Sequence, residues 1–295
     1  MLKRILSIFL TIALLLTVSA CTQKRDKDTS SKPKSSMEIG INDGVILPEI
    51  YEDDYQPNRE AYQLGTCCNL KGNPTVIVFF VDDDESSWDV RSVNSYTNNY
   101  IKPGLRFLED RAKEWSVDLK FNLKCFSTLD SEYEFKYEGV VKNNVGEDNI
   151  TDDLLDYIAN DMGYSNPWAM YSNYKYNSVG NNDVIFMHIY NKEGIAYANK
   201  SKYIPNGDTV EDSIIFAIDS NTPTINDTRA TVAQLILFLF GAERIKAEEL
   251  SPEFSDKYED DIMDGVMEEL SKNQITDLTA FRVGWTDEVP EVLKN

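Results

Sequence analysis

The run "VAQLILFLFGA", Val232 to Ala242, constrains this chain more than any other stretch. Wound as a helix, its last two turns are apolar on every side, and a helix with no polar face has to be enclosed. Asn226 or Asp227 stands where an N-cap is expected, and Gly241 where a left-handed residue ends a helix. Gln234 is the single polar interruption. A chain of 295 residues is long enough to build a core around such a helix.

The segments ahead of it supply material for that core. "PTVIVFFVDDDESSW" (Pro74 to Trp88) reads as a buried strand and an acidic loop, because a short β-branched and aromatic run ends in acids. "YTNNYIKPGLRFLEDRAKEW" places Leu105, Leu108, Ala112 and Trp115 on one helical face, with Pro103 suited to the first turn. "VDLKFNLKCF" alternates as a half-buried strand. "ITDDLLDYIANDMG" reads as a helix that ends before Gly163. "DVIFMHIY", "IAYAN" and "DSIIFAID" read as strands. After Val232 the pattern turns helical, through "DIMDGVMEEL" and "ITDLTAFRVGW". Strands mixed with helices, followed by a helical part, predict an α+β fold.

Residues 1–20 stand apart. Lys3 and Arg4 precede the apolar run "ILSIFLTIALLLTV", and small residues lead to Cys21, the pattern of a secretory signal. Val18-Ser19-Ala20-Cys21 resembles the lipobox of bacterial lipoproteins. That resemblance implies cleavage before Cys21, lipid on its thiol and amino group, and a chain held at the bacterial cell membrane facing outside the cytoplasm. An uncleaved N-terminal anchor is the alternative. Residues 21–45 are polar and rich in Ser and Lys, which reads as a flexible tether. Residues 46–295 then form a single domain.

The formal charge of −21 becomes −23 once Lys3 and Arg4 leave with the signal. That balance argues against nucleic acid as a partner. Beyond Cys21 the cysteines are Cys67, Cys68 and Cys125, so one is left over from any internal pairing. A bridge from Cys67 or Cys68 to Cys125 suits an exported protein, and a buried thiol at Cys125 is the other reading.

The run that opened the argument resembles the active-site helix of zincin-type (metzincin-like) zinc metallopeptidases, with the signature H-E-x-x-H-x-x-G-x-x-[H/D]. In that signature two histidines one turn apart bind zinc and the glutamate between them activates the bound water. Aligned on Gly241, Gln234 stands at the first ligand, Leu235 at the base, Phe238 at the second ligand and Arg244 at the third. None of the four can do that chemistry. Met263, in "YEDDIMDG", stands where metzincins place the methionine turn, and "LTAFRVGWTDE" resembles the segment that closes such domains. The resemblance implies a small mixed sheet over helices, with a cleft between the sheet edge and this helix. It also implies no metal, no cofactor and no hydrolysis. An ordinary core helix ending in glycine carries the same apolar pattern.

Other candidate sites are less specific. His188 is the sole histidine, a structural residue or, under the zincin layout, a cleft residue. The acids Asp82 to Glu85 and Glu259, Asp260, Asp261 and Asp264 read as solvated loops, with Ca2+ binding as the alternative. The expected role is that of a surface lipoprotein with an inactive metallopeptidase-like domain that binds a peptide or protein. The alternatives are a hydrolase with a carboxylate-based site elsewhere and a solute-binding lipoprotein.

Overall fold

A computed structural model describes residues 39–42, 45–48, 67, 69–129, 133–141, 150–178, 183–192, 196–203, 209–216, 228–265 and 269–294. Met37–Asn295 forms one compact unit. Cys21 and Cys68 lie outside the described residues, as do the two candidate caps Asn226 and Asp227.

The fold is α+β. Its centre is a parallel trio of strands: β3 (Thr75–Phe80) lies between β4 (Asn122–Ser127) and β5 (Val184–Tyr190). Both β3 and β5 are buried along their whole length. That explains why they read as unbroken apolar runs, since parallel strands are covered on both faces. β7 (Thr209–Phe216) joins β5 in parallel, and β6 (Ala196–Tyr203) runs antiparallel to β7 with an irregularity between Asn199 and Lys202. β2 (Val45–Pro48) pairs in parallel with the start of β6, and β1 (Ile39–Asn42) pairs antiparallel with β2. The sheet order is β1-β2-β6-β7-β5-β3-β4.

β1 and Val45 fall inside the stretch read as tether. Main-chain pairing, in a segment where Ile39 and Ile41 alternate with Gly40 and Asn42, is open to a sequence whose polarity suggests a linker.

Helices cover both faces of the sheet, which differs from a sheet with a helical part on one side. Val76, Val78 and Phe80 of β3, with Ile185, Met187 and Ile189 of β5, face a core shared with α1 (Val90–Tyr96), α2 (Lys102–Glu114) and α5 (Thr228–Leu239). The alternate residues Ile77, Phe79, Phe186 and Tyr190 face α3 (Ile150–Asp161) and α4 (Pro167–Ser172). The side-chain period of two along each strand sorts these residues into the two cores.

α1 and α2 run together through a π-helical turn, Thr97–Ile101, in which the Lys102 N–H reaches the Thr97 carbonyl. Pro103 explains that turn. Its ring crowds the carbonyl four residues back and its nitrogen has no hydrogen to give, so the helix widens by one residue instead of breaking. Proline was expected to start this helix; it sits instead inside a longer one that begins after the cap Asp89, whose carboxylate accepts from Ser92 N at 2.8 Å.

α2 crosses α5 closely at Gly104. A Cβ there would lie 2.6 Å from the Arg229 carbonyl oxygen and 3.0 Å from Val232 Cβ. The missing side chain sets the helix spacing. α6 (Pro252–Tyr258) and α7 (Asp277–Arg282) complete the C-terminal part on the α5 side, where Tyr258, Leu278 and Phe281 join the same core. At the end of the chain Trp285 Nε1 donates to the Leu70 carbonyl at 2.7 Å, and Leu70 N donates to the Val283 carbonyl at 2.9 Å.

Candidate functional site

α5 is enclosed as its composition requires. From Ala230 to Leu239 every residue is buried, and Phe240, Gly241 and Ala242 continue that burial. Each large apolar side chain so buried contributes about 1.5–3 kcal/mol. Gly241 ends the helix at φ +105°, and Ala242 N closes the turn by donating to the Leu237 carbonyl at 3.0 Å. This is a Schellman-type stop, which sends the chain back along the helix.

The returning chain meets the methionine segment. Gln234 Nε2 donates to the Ile262 carbonyl at 2.5 Å, Ile245 N to the Met263 carbonyl at 2.9 Å, and Ala247 N to Asp264 Oδ1 at 2.5 Å. Three bonds thus lash residues 262–264 to α5 and to its exit. Met263 is buried beneath them. The lone polar residue of the helix is explained: it holds this loop. Gln234 is only 5% exposed, and its Oε1 is left without a hydrogen-bond partner among the described residues.

The loop in turn hangs on Asp261, which is fully buried. Its carboxylate accepts from Met263 N (2.8 Å), Thr276 N (2.7 Å), Thr276 Oγ1 (2.5 Å) and Thr279 Oγ1 (2.9 Å). Burial raises its pKa and the hydrogen bonds oppose that rise. Expecting a solvated acid at Asp261 was therefore wrong; it is a structural hub that ties the methionine segment to the start of α7. A signal was present in "ITDLT", where Thr276 and Thr279 stand one helical turn apart, but nothing local joins them to Asp261. Asp264 is half-buried, and its pKa is pushed up to about 6 by burial, with the nearby charges of Glu248 and Asp261 adding to the rise and Arg244 opposing it.

The four signature positions are placed as follows. Gln234 and Phe238 lie one turn apart on one face of α5, both buried. Leu235 is fully buried in the core, and Arg244 is half-buried just past the turn. Beside it, Glu243 faces Arg282 of α7 at 3.4 Å, and that arginine is 2% exposed. Among the described residues, no three His, Cys, Asp or Glu side chains gather as a metal-binding group.

His188 corrects the expectation of a cleft residue. It is fully buried, its ring 5.8 Å from that of Phe79, in the face of the sheet turned to α3 and α4. α5 packs on the opposite face.

The acidic loop after β3 is also built inward. Asp82 accepts from Trp88 N at 2.8 Å and Thr128 Oγ1 at 3.2 Å, and burial raises its pKa. Asp83 accepts from Ser86 N (2.7 Å), Val141 N (2.9 Å) and Lys192 Nζ. Although its burial acts the other way, these bonds together hold its pKa below the usual range. Both acids fasten loops at the ends of β3 and β5 and are not the solvated charges expected. Cys67 is buried and Cys125 half-buried near Thr97; the two are not bridged to each other.

No family model, no curated protein and no solved structure matches this chain.

Proposed function

We propose that the chain is a lipid-anchored surface protein whose domain keeps the architecture of a zincin-type metallopeptidase without its chemistry, and that it serves as a binding module. The observation that carries this reading is the junction of α5 with residues 262–264. A helix ending in a left-handed glycine, with a methionine loop lashed beneath it by Gln234, Ile245 and Ala247, is the arrangement the signature implies.

The donor set does not fit zinc. Gln234 offers an amide already bonded through its nitrogen, Leu235 and Phe238 offer no lone pair, and Arg244 is a permanent cation. An extended peptide is the ligand class that suits a sheet with an open edge, since main-chain pairing gives affinity and alternate side chains give selectivity. Among the described residues β4 is the outermost strand on its side and pairs with β3 alone.

The test is restoration. Gln234→His, Leu235→Glu, Phe238→His and Arg244→Asp are combined, and zinc is measured by mass spectrometry of the metal. The parent chain, purified without added metal, is expected to hold none, and the variant close to one equivalent. A folded variant that binds no zinc refutes the zincin reading. So does zinc at one equivalent in the parent.

A further inference from the structure

We propose that the face formed by Lys124, Tyr133, Tyr164 and Tyr174, beside β4, binds an acidic sugar, a hydroxyl-rich ring that carries one carboxylate. This site is separate from the junction described above and does not depend on the metallopeptidase reading.

Three elements bring these side chains together. Lys124 and Phe126 alternate along β4 with Leu123 and Cys125, which pack on the α5 side, so they turn to the side of α3 and α4. Tyr164 follows the turn that ends α3, where Gly163 is left-handed at φ +79° and Tyr164 N donates to the Ala159 carbonyl at 2.8 Å. Tyr174 stands on the π-helical turn Asn173–Ser178 that continues α4, and widened turns of this kind recur at functional sites. Lys124 Nζ lies 5.1 Å from the centre of the Tyr174 ring, and the Tyr133 ring lies 6.5 Å from that of Phe126. Asn173 Nδ2 donates to the Tyr164 hydroxyl at 2.8 Å, which leaves that hydroxyl its own hydrogen to give.

Lys124 is the unusual charge. Arg111, Lys175 and Lys192 are half-buried as it is, and each has a carboxylate: Glu114 at 2.8 Å, Asp183 at 3.3 Å, and Asp83. Lys124 has the Tyr174 ring and, among the described residues, no acid. A lysine that only guards a sheet edge can stand out in water. In a chain of 50 acidic and 29 basic residues, an ammonium kept apart from the carboxylates is matched to one incoming negative charge. Burial raises the pKa of Tyr174, Tyr164 and Tyr133 raise it further, and no carboxylate adds to the rise. The phenol therefore keeps its hydrogen at neutral pH. Among the described residues the hydroxyls of Tyr133 and Tyr174 make no hydrogen bond, and a phenol can both donate and accept. Such hydroxyls suit a ligand that is itself rich in hydroxyls, the aromatic rings suit the C–H face of a pyranose, and one ammonium suits one carboxylate.

The full chain is titrated by calorimetry with D-glucuronate and, separately, with D-glucose and with acetate. Glucuronate is expected to bind saturably, and glucose and acetate each at least about tenfold more weakly, because each offers only part of the ligand. Lys124→Gln is expected to weaken glucuronate about tenfold, the loss of one charge-assisted bond. Tyr133→Phe keeps the ring and removes only the hydroxyl, and is expected to weaken glucuronate about fivefold. It carries the test alone if Lys124→Gln unfolds, which circular dichroism shows. Glucose or acetate binding as tightly as glucuronate, folded variants that bind glucuronate as the parent does, or no saturation by about 10 mM, above the millimolar range of weak sites, overturns the proposal.

Discussion

Replacing Asp261 by alanine is the sharpest test of how the C-terminal part is held. Four donors converge on this carboxylate, and all four lose it together. The hydroxyls of Thr276 and Thr279 can rotate toward other acceptors. The N–H groups of Met263 and Thr276 cannot, because the loop and the helix start fix them. Each stranded buried donor costs about 1–3 kcal/mol. Removing a buried carboxylate gives back part of its desolvation penalty. The expected net loss is about 3–5 kcal/mol, a large part of the stability of a domain this size. Asp261→Asn keeps the shape and one acceptor but turns an NH2 group toward two donors, and is expected to lose about 2 kcal/mol. Urea unfolding followed by circular dichroism gives both values from the midpoints at constant slope. A loss below about 1 kcal/mol for Asp261→Ala, on the scale of an ordinary surface change, refutes the view of Asp261 as a hub.

Two further outcomes are expected. Asp264 has a folded pKa of about 6 against an ordinary value of 3.8, so its contribution to stability is full below about pH 4 and is lost as the pH rises through 6. Asp264→Asn should flatten melting temperature against pH across that window and, after allowance for its partial exposure, gain about 1 kcal/mol at pH 7; an unchanged profile refutes the assignment. Gly104→Ala should cost about 2 kcal/mol, because the new methyl meets main chain that has to move, and a thermally neutral variant would mean the two helices are not in close contact.

The parts of the fold that were legible in the sequence are those whose signal is local. β3, β5 and α5 announced themselves by apolar runs, α2 by its spacing, and Gly163 and Gly241 by their places after helices. What was not legible depends on partners distant in the chain. Asp82, Asp83 and Asp261 look like surface charge in a sequence rich in acids, and only the folded chain brings Trp88, Lys192 and Thr276 to them. His188 sits on a strand buried on both faces, so alternation could not say which side holds α5. The π-helical turn before Pro103 was missed because proline marks helix starts more often than it marks a widened turn.

The clasp between Trp285 and Leu70 has a consequence for the order in which the molecule is made. Its two halves are separated by 215 positions. Leu70 lies just ahead of β3, the strand on which the parallel trio is assembled, so the surroundings of that strand are completed by residues far later in the chain. A growing chain can form its local helices, yet it cannot seal that end of the core until Val283 and Trp285 have been made. Long-range closure of this kind slows folding and leaves apolar surface waiting. Closing this clasp is thus a late event in folding.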